Sequence, residues 1–368
     1  MPSNENATVP QTQNAAVGNS SGADTKVSVQ SIPVTQPAPH QILVKINWSG
    51  LCASDRCLLR DEWSAFGGMV PPMATSARGI AGHEGAGVVV AVGDEVSNLW
   101  KVGDRAGVKW IESTCGVCEM CSNGLDEAHC PSAVHHAVEV AGTFQEYCVT
   151  DGSYATRIPE GVTDEEAGPI MCGGFSAYAA CKRTAVKPGQ WIVILGGGGG
   201  VGHFALQYAK AMGMRVIAVD GGKEKEQMCR KLGAEEFIDY GECKNTPAEV
   251  MRITTYGAHG ALVAAPTVEA YATAPLMLRP RGTMVALALP KDPSIVAGTS
   301  AVLVSGKRLN IVGSLVGTKK EAEEALDFTV RGLVHPVLTK GTLHDVDKFC
   351  DLLAAGKVPG RVVLKVSS

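Results

Sequence analysis

Six of the seven residues from Gly196 to Gly202 are glycine. The run lies between an apolar segment, Trp191–Leu195, and a segment of helical character, His203–Met212. Few features restrict a fold as much. Within the run, Gly197-x-Gly199-x-x-Gly202 has the spacing of a strand–turn–helix that cradles a pyrophosphate. One glycine serves the tight turn, one the close approach of the phosphates and one the helix–strand packing, with the helix N-terminus facing the anion. The motif alone is weak, because a glycine-rich loop of an α/β fold that binds no nucleotide reads the same way. Its surroundings are more specific. Arg215–Asp220 reads as the next strand, and Asp220 ends it. A carboxylate there accepts the adenosine ribose hydroxyls and repels a 2′-phosphate, so NAD is expected rather than NADP. Lys223–Leu232 reads as helix and Glu236–Asp239 as a short strand. Strands alternating with helices predict a doubly wound parallel sheet, an α/β Rossmann domain.

The chain is 368 residues long, room for two domains, and its net charge is −4 with no basic block. Nothing in that balance points to nucleic acid or an anionic membrane. Residues from Met1 to about Asp24 lack the cationic start and apolar run of a secretion signal. No stretch of about 20 apolar residues is present to span a bilayer. A cytoplasmic chain is expected, and twelve cysteines in such a chain suggest metal more than disulfides. From Val27 to about Thr150, short apolar runs such as Ile42–Ile46 and Gly85–Val92 are broken by Gly, Pro and Asp. They read as a β-rich domain.

Cys115-x-x-Cys118-x-x-Cys121 is followed by Cys130. Two-residue spacings let thiolates converge on one tetrahedral ion, and four sulfurs close its shell, so the reading is structural zinc. An iron–sulfur cluster or disulfides would use the same residues. A second set is dispersed: Cys52 in Gly50-Leu51-Cys52-Ala53-Ser54-Asp55, His83-Glu84 between two glycines, and Cys172 in Met171-Cys172-Gly173. Singly, each has a plain explanation as a buried thiol or a structural histidine.

These segments occur in one order along the chain, together with the glycine run, Asp220 and Tyr208-Ala209-Lys210-Ala211-Met212-Gly213. That order resembles the zinc-dependent alcohol dehydrogenases of the medium-chain dehydrogenase/reductase superfamily, in the fungal, yeast-type branch. The resemblance runs from about Gln13 to Lys365. It is particularly close at His83-Glu84-Gly85-Ala86-Gly87 and Val219-Asp220-Gly221-Gly222. It implies a GroES-like catalytic domain built from residues 1–173 and 313–368, and an NAD-binding Rossmann domain at 174–312. It implies two zinc ions per chain, NAD, a small alcohol or aldehyde substrate, and a homo-oligomer, in this branch a tetramer. Cys52, His83 and Cys172 match the catalytic zinc ligands, a set of two thiolates and one imidazole that leaves the fourth position to water or substrate. Asp55 matches the carboxylate that orients the ligand histidine, Glu84 a glutamate behind the zinc, and Ser54 the hydroxyl that receives the alcohol proton. Lys225 matches a lysine near the adenosine ribose, and Arg361 a residue that contacts the pyrophosphate. Trp63 and Trp110 match aromatic residues of the substrate pocket, although tryptophans are usually buried for packing alone.

The chain departs from the pattern at four places. Cys57 stands where a histidine ends the proton relay, and Ala53 where a His or Arg meets the cofactor phosphates. The segment Ser64–Arg78 is longer than the pattern and predicts a remodelled entrance, with Arg78 placed to meet an oxygen-bearing substrate; a neutral surface insertion is the other reading. Gln13–Gly18 holds the place of an apolar first strand but is small and polar, which predicts a short or frayed strand. Two other functions share the fold: a zinc-independent quinone or enone reductase, and a non-catalytic cofactor-binding scaffold.

Overall fold

The computed structural model describes residues 9–20, 22–63, 71–123 and 127–367. They form two compact units: residues 1–172, 318–330 and 338–368 in one, and 173–317 with 331–337 in the other. Among the described residues no helix is long and apolar enough to cross a membrane.

The first unit is built on a seven-stranded sheet. Its order is Leu338–Thr342, Arg361–Lys365, Gln41–Leu51, Gly85–Val92, Arg105–Val108 and Thr156–Arg157, with Tyr147–Asp151 also pairing with Gln41–Leu51. Gln41–Leu51 is the organiser, because three strands bond to it antiparallel. Ile42, Val44 and Ile46 recur at the strand period of two and are fully buried, with Val89, Ala106, Val362 and Leu364 in the same core.

The N-terminal strand corrects the expectation of fraying. Thr12–Gly18 pairs along its whole length with Val27–Pro33. Its polar residues are used rather than wasted. Gln13 is buried, donates to Gln145 Oε1 (3.0 Å) and accepts from the Tyr147 N–H (2.6 Å). The N–H of Asn14 donates to Glu146 Oε2 at 2.8 Å. A buried amide that makes its bonds costs little, so polarity did not forbid the strand.

The second unit holds six strands, all parallel, in the order Glu236–Asp239, Arg215–Asp220, Trp191–Leu195, Ala258–Val263, Leu278–Ala286 and Asn310–Gly313. In chain order this is 3-2-1-4-5-6, the doubly wound dinucleotide-binding topology that the alternation predicted. Trp191–Leu195 and Ala258–Val263 are the two strands at which the order reverses, and the crevice at their carboxyl ends is where such folds take a ligand. The glycine run lies at that end, immediately after Leu195. The helix it opens spans Gly202–Ala211 and buries His203 through Ala209.

Candidate functional site

Asp55 organises the first cluster. It is the third residue of a helix, Ala53–Leu59, whose cap is Cys52. Its Oδ2 accepts from the Cys52 N–H at 2.8 Å, which closes the helix start and fixes Cys52. Its Oδ1 accepts from the Gly82 N–H at 2.9 Å and from His83 Nδ1 at 2.8 Å. Asp55 is 0% exposed, so these bonds compete with no water. A carboxylate can only accept, so Nδ1 carries a proton and Nε2 is the ring nitrogen left to face a metal.

Cys172 arrives from another element. Helix Asp164–Pro169 starts at a reciprocal cap, in which the Glu166 N–H donates to Thr163 Oγ1 and the Thr163 N–H to Glu166 Oε2. Pro169 lacks an N–H and ends that regular stretch, and the next turn, Ile170–Gly174, widens to a π-helix. Such one-turn π-bulges recur at functional sites.

The result is one nest of ligands. Single donor atoms of Cys52, His83, Glu84 and Cys172 all lie within 4.8 Å of one another. Ser54 Oγ stands 3.2 Å from His83 Nε2. The Cys52 thiol is held well below its ordinary pKa, first by a hydrogen bond from Cys172, then against burial by Arg361 and His83. Burial lifts the Glu84 carboxyl above the usual carboxylate range, with Arg361 opposing. Two thiols, one oriented imidazole nitrogen and a carboxylate form a donor set of zinc type. Glu84 Oε2 is buried without a hydrogen-bond partner among the described residues, a further sign that a cation belongs beside it.

Sequence reading did not foresee two features here. Arg361, expected at a cofactor phosphate, is buried and paired through Nη2 with Glu84 Oε1. Gly50 has no room for a side chain: a Cβ there would fall well inside contact with the Glu84 carboxylate. Gly50-Leu51-Cys52 was therefore legible as a motif, while its steric reason was not.

The four-cysteine loop converges as expected. All four Sγ atoms lie within 4.8 Å, with Cys118–Cys121 at 3.5 Å and Cys115–Cys121 at 4.0 Å. A tetrahedron with zinc–sulfur arms of about 2.3 Å has edges of about 3.8 Å, so the spacing suits one such ion. The backbone N–H groups of Val117 and Cys118 draw the Cys115 thiol down to about 6, as a metal-binding thiolate needs. None of the twelve cysteines is joined in a disulfide, which leaves the four thiols of this loop available to a metal.

At the glycine run, Gly198 N–H donates to Asp220 Oδ2 (2.8 Å) and Gly221 N–H to Oδ1 (2.9 Å). Lys225 Nζ also meets Oδ1 at 2.8 Å. Asp220 is thus aimed back at the glycine turn and held beside Lys225. Gly197 sits over Ala218, and Gly202 sits against the Gly196 carbonyl, with no space for a Cβ at Gly202.

The remaining candidates are less tightly grouped. Trp63 is 8% exposed, and its Nε1 meets no acceptor among the described residues. Trp110 is half-buried and lies against His135. Residues 64–70 of the long segment lie outside the described residues. Within the rest, Thr75–Ala77 is a 3₁₀ turn capped by an exposed Arg78 in the left-handed region. Cys57 is buried, and its thiol donates to Glu62 Oε2 at 3.3 Å. Cys57→Ala is expected to leave the pH–rate profile of the enzyme unchanged, because that thiol is engaged with Glu62; a shifted profile would return Cys57 to the proton path. Asp55→Asn puts an amide donor opposite backbone and imidazole donors. About 10- to 100-fold weaker zinc retention against a chelator is expected, with a matching fall in kcat/KM.

Known proteins carry the same layout. The Alcohol dehydrogenase GroES-like domain family matches residues 38–160, and the Zinc-binding dehydrogenase family residues 200–331. An alcohol dehydrogenase of Schizosaccharomyces pombe is 41% identical over 98% of this chain and 99% of its own. Alcohol dehydrogenase 1 of Emericella nidulans is 40% identical over 92% of this chain and 93% of its own. Among solved structures, a cinnamyl alcohol dehydrogenase from Sorghum bicolor superposes with a TM-score of 0.82 at 25% identity, covering 96% of this chain and 98% of that one. Identity of this depth over almost the whole length exceeds what a shared fold requires: the chain belongs to the zinc-dependent alcohol dehydrogenases of the medium-chain dehydrogenase/reductase superfamily, and is an oxidoreductase of that class.

Proposed function

We propose that the protein interconverts a primary alcohol and its aldehyde with NAD(H), using one catalytic and one structural zinc per chain. The observation that carries this reading is the nest of Cys52, His83 and Cys172, with Nε2 of His83 turned to the thiols by Asp55. These three residues would hold the catalytic zinc, and Cys115, Cys118, Cys121 and Cys130 the structural one. When bound, zinc supplies a Lewis acid for the alcohol oxygen, and NAD supplies the hydride acceptor.

The chain's own residues do the rest. Ser54 Oγ, beside the ligand nitrogen, receives the alcohol proton. Asp55 keeps His83 in one tautomer and one orientation. Glu84, paired with Arg361, places a carboxylate behind the metal position and offsets its charge. Gly197, Gly199 and Gly202 shape the turn for a pyrophosphate, and Asp220 with Lys225 receives the ribose, which favours NAD over NADP. Arg361 holds that Glu84 carboxylate in place from the buried side. Trp63 and Trp110 wall the substrate pocket. The proton leaves Ser54 without help from a protein imidazole, because Cys57 stands where the family pattern has histidine.

The long segment before His83 favours a substrate other than ethanol, a functionalised alcohol or aldehyde. An assembly of four copies follows from the fungal resemblance. It is supported by the strand Asn310–Gly313, which ends its sheet among the described residues and exposes Ile311. A cytoplasmic home is supported by twelve cysteines, none of them in a disulfide. One experiment tests the core of the proposal: zinc measured on the desalted protein, with NADH absorbance followed over a panel of alcohols. Two zincs per chain and alcohol-dependent NADH formation are expected. Zinc-free turnover of enones would favour the quinone-reductase reading, and cofactor binding without turnover the scaffold.

A further inference from the structure

Two consecutive histidines hold Trp110 from two sides, and the proposed reaction uses neither. The His135 ring lies 4.3 Å from the Trp110 ring, centroid to centroid, at a tilt of 31°. Glu139 fixes that imidazole: its Oε2 accepts from the His135 N–H at 2.8 Å and from Nδ1 at 3.1 Å. The next residue holds the backbone. His136, fully buried, donates its N–H to the Trp110 carbonyl at 2.8 Å, and its Nδ1 lies 2.8 Å from the Lys109 carbonyl.

The turn that presents both rings is over-determined. Ala137 is buried with a φ of 65°, a region that alanine rarely adopts. It is held there because its N–H donates to the Val140 carbonyl at 2.8 Å, while the His135 carbonyl accepts from Glu139 and Val140. Held strain of this kind clusters at ligand clamps. The end of the long segment before His83 is tied to the same turn. The Ala74 N–H donates to the Val138 carbonyl at 2.7 Å, and Ser76 Oγ to the Glu139 carbonyl at 2.6 Å. A chain of contacts therefore runs from that segment through Glu139 and His135 to the indole.

We propose that His135 is a specificity-determining positioning residue, which fixes the Trp110 indole so that the site favours alcohols with an aromatic or similarly flat apolar body over ethanol. This rests on the reading of Trp110 as a pocket residue. A flat substrate gains from packing on a ring held in one orientation, whereas ethanol is too small to use it. Glu139 acts through His135, and the tied segment keeps the turn in place.

The test compares kcat/KM for benzyl alcohol and for ethanol in His135→Ala, His135→Phe, Glu139→Ala and Trp110→Ala, with zinc content measured on each. In His135→Ala the benzyl-to-ethanol ratio is expected to fall about tenfold, carried by KM for benzyl alcohol, with kcat for ethanol within about twofold. His135→Phe keeps a ring against the indole and should restore most of the ratio. Glu139→Ala should lower it in the same direction, which keeps the test alive if His135→Ala does not fold. If Trp110→Ala shifts the ratio and neither His135→Ala nor Glu139→Ala does, the role of His135 is overturned while that of Trp110 stands. If Trp110→Ala leaves the ratio unchanged, the pocket reading of Trp110 fails and takes this proposal with it.

Discussion

Cys172→Ala is expected to lower kcat/KM for alcohol oxidation by about 10³-fold or more and to remove one zinc per chain, leaving the other in place. The size follows from what is lost. A Lewis acid at a developing alkoxide contributes several kcal/mol, and each 1.36 kcal/mol is about tenfold in rate. The zinc set has two thiols and one imidazole, and it loses a thiol on which the position of the ion depends. What remains is Cys52, His83 and Glu84, with Arg361 paired to Glu84. A guanidinium with fewer anions to balance it opposes the return of a cation. The four-cysteine loop shares no residue with this set, so its ion should stay, and far-ultraviolet dichroism should be unchanged. Metal analysis and steady-state kinetics on one preparation decide the matter. Full activity with one zinc lost would mean that the nest at Cys172 holds no catalytic metal.

The two ligand sets differ in how far they could be read without coordinates. Cys115, Cys118, Cys121 and Cys130 lie close together in the chain, so spacing alone forces convergence. Cys52, His83 and Cys172 are far apart, and only the β-sheet around Gln41–Leu51 and the π turn at Ile170–Gly174 bring them together. For them the order of motifs carried the inference. The parallel sheet was legible because its strands are short apolar runs bounded by turns. The first strand was misjudged because polarity was read as weakness, whereas Gln13 and Asn14 find partners at Gln145 and Glu146. Arg361 was placed at a phosphate by analogy, and nothing in Pro359-Gly360-Arg361 signals that its guanidinium meets Glu84. The His135–Glu139 clamp was missed for a related reason. His135 and Glu139 belong to no motif, and they meet only because they close a turn around a left-handed alanine.

Gly199→Ala and Gly202→Ala should fail in different ways, although one motif contains both. A Cβ on Gly199 meets only the Gly196 carbonyl, at 3.3 Å, a contact that a small shift relieves. That variant should fold with its melting temperature within a few degrees of the parent. Its methyl would nevertheless stand on the side proposed for the pyrophosphate, so NADH should bind at least about tenfold more weakly. A Cβ on Gly202 would lie well inside contact with the Gly196 carbonyl oxygen and 2.9 Å from Gly197 Cα. Those are backbone atoms, with no rotamer to move aside. The helix Gly202–Ala211 would have to lift from the strand Trp191–Leu195, and the buried faces of both would loosen together. A cost of about 3–5 kcal/mol is expected, which for a chain of this size lowers the melting temperature by on the order of 10 °C. Thermal melts with and without NADH, and NADH fluorescence titrations, separate the two. Parent-like NADH affinity in Gly199→Ala would mean that this turn does not cradle the cofactor. A parent-like melt in Gly202→Ala would mean that the strand–helix joint does not depend on the missing side chain.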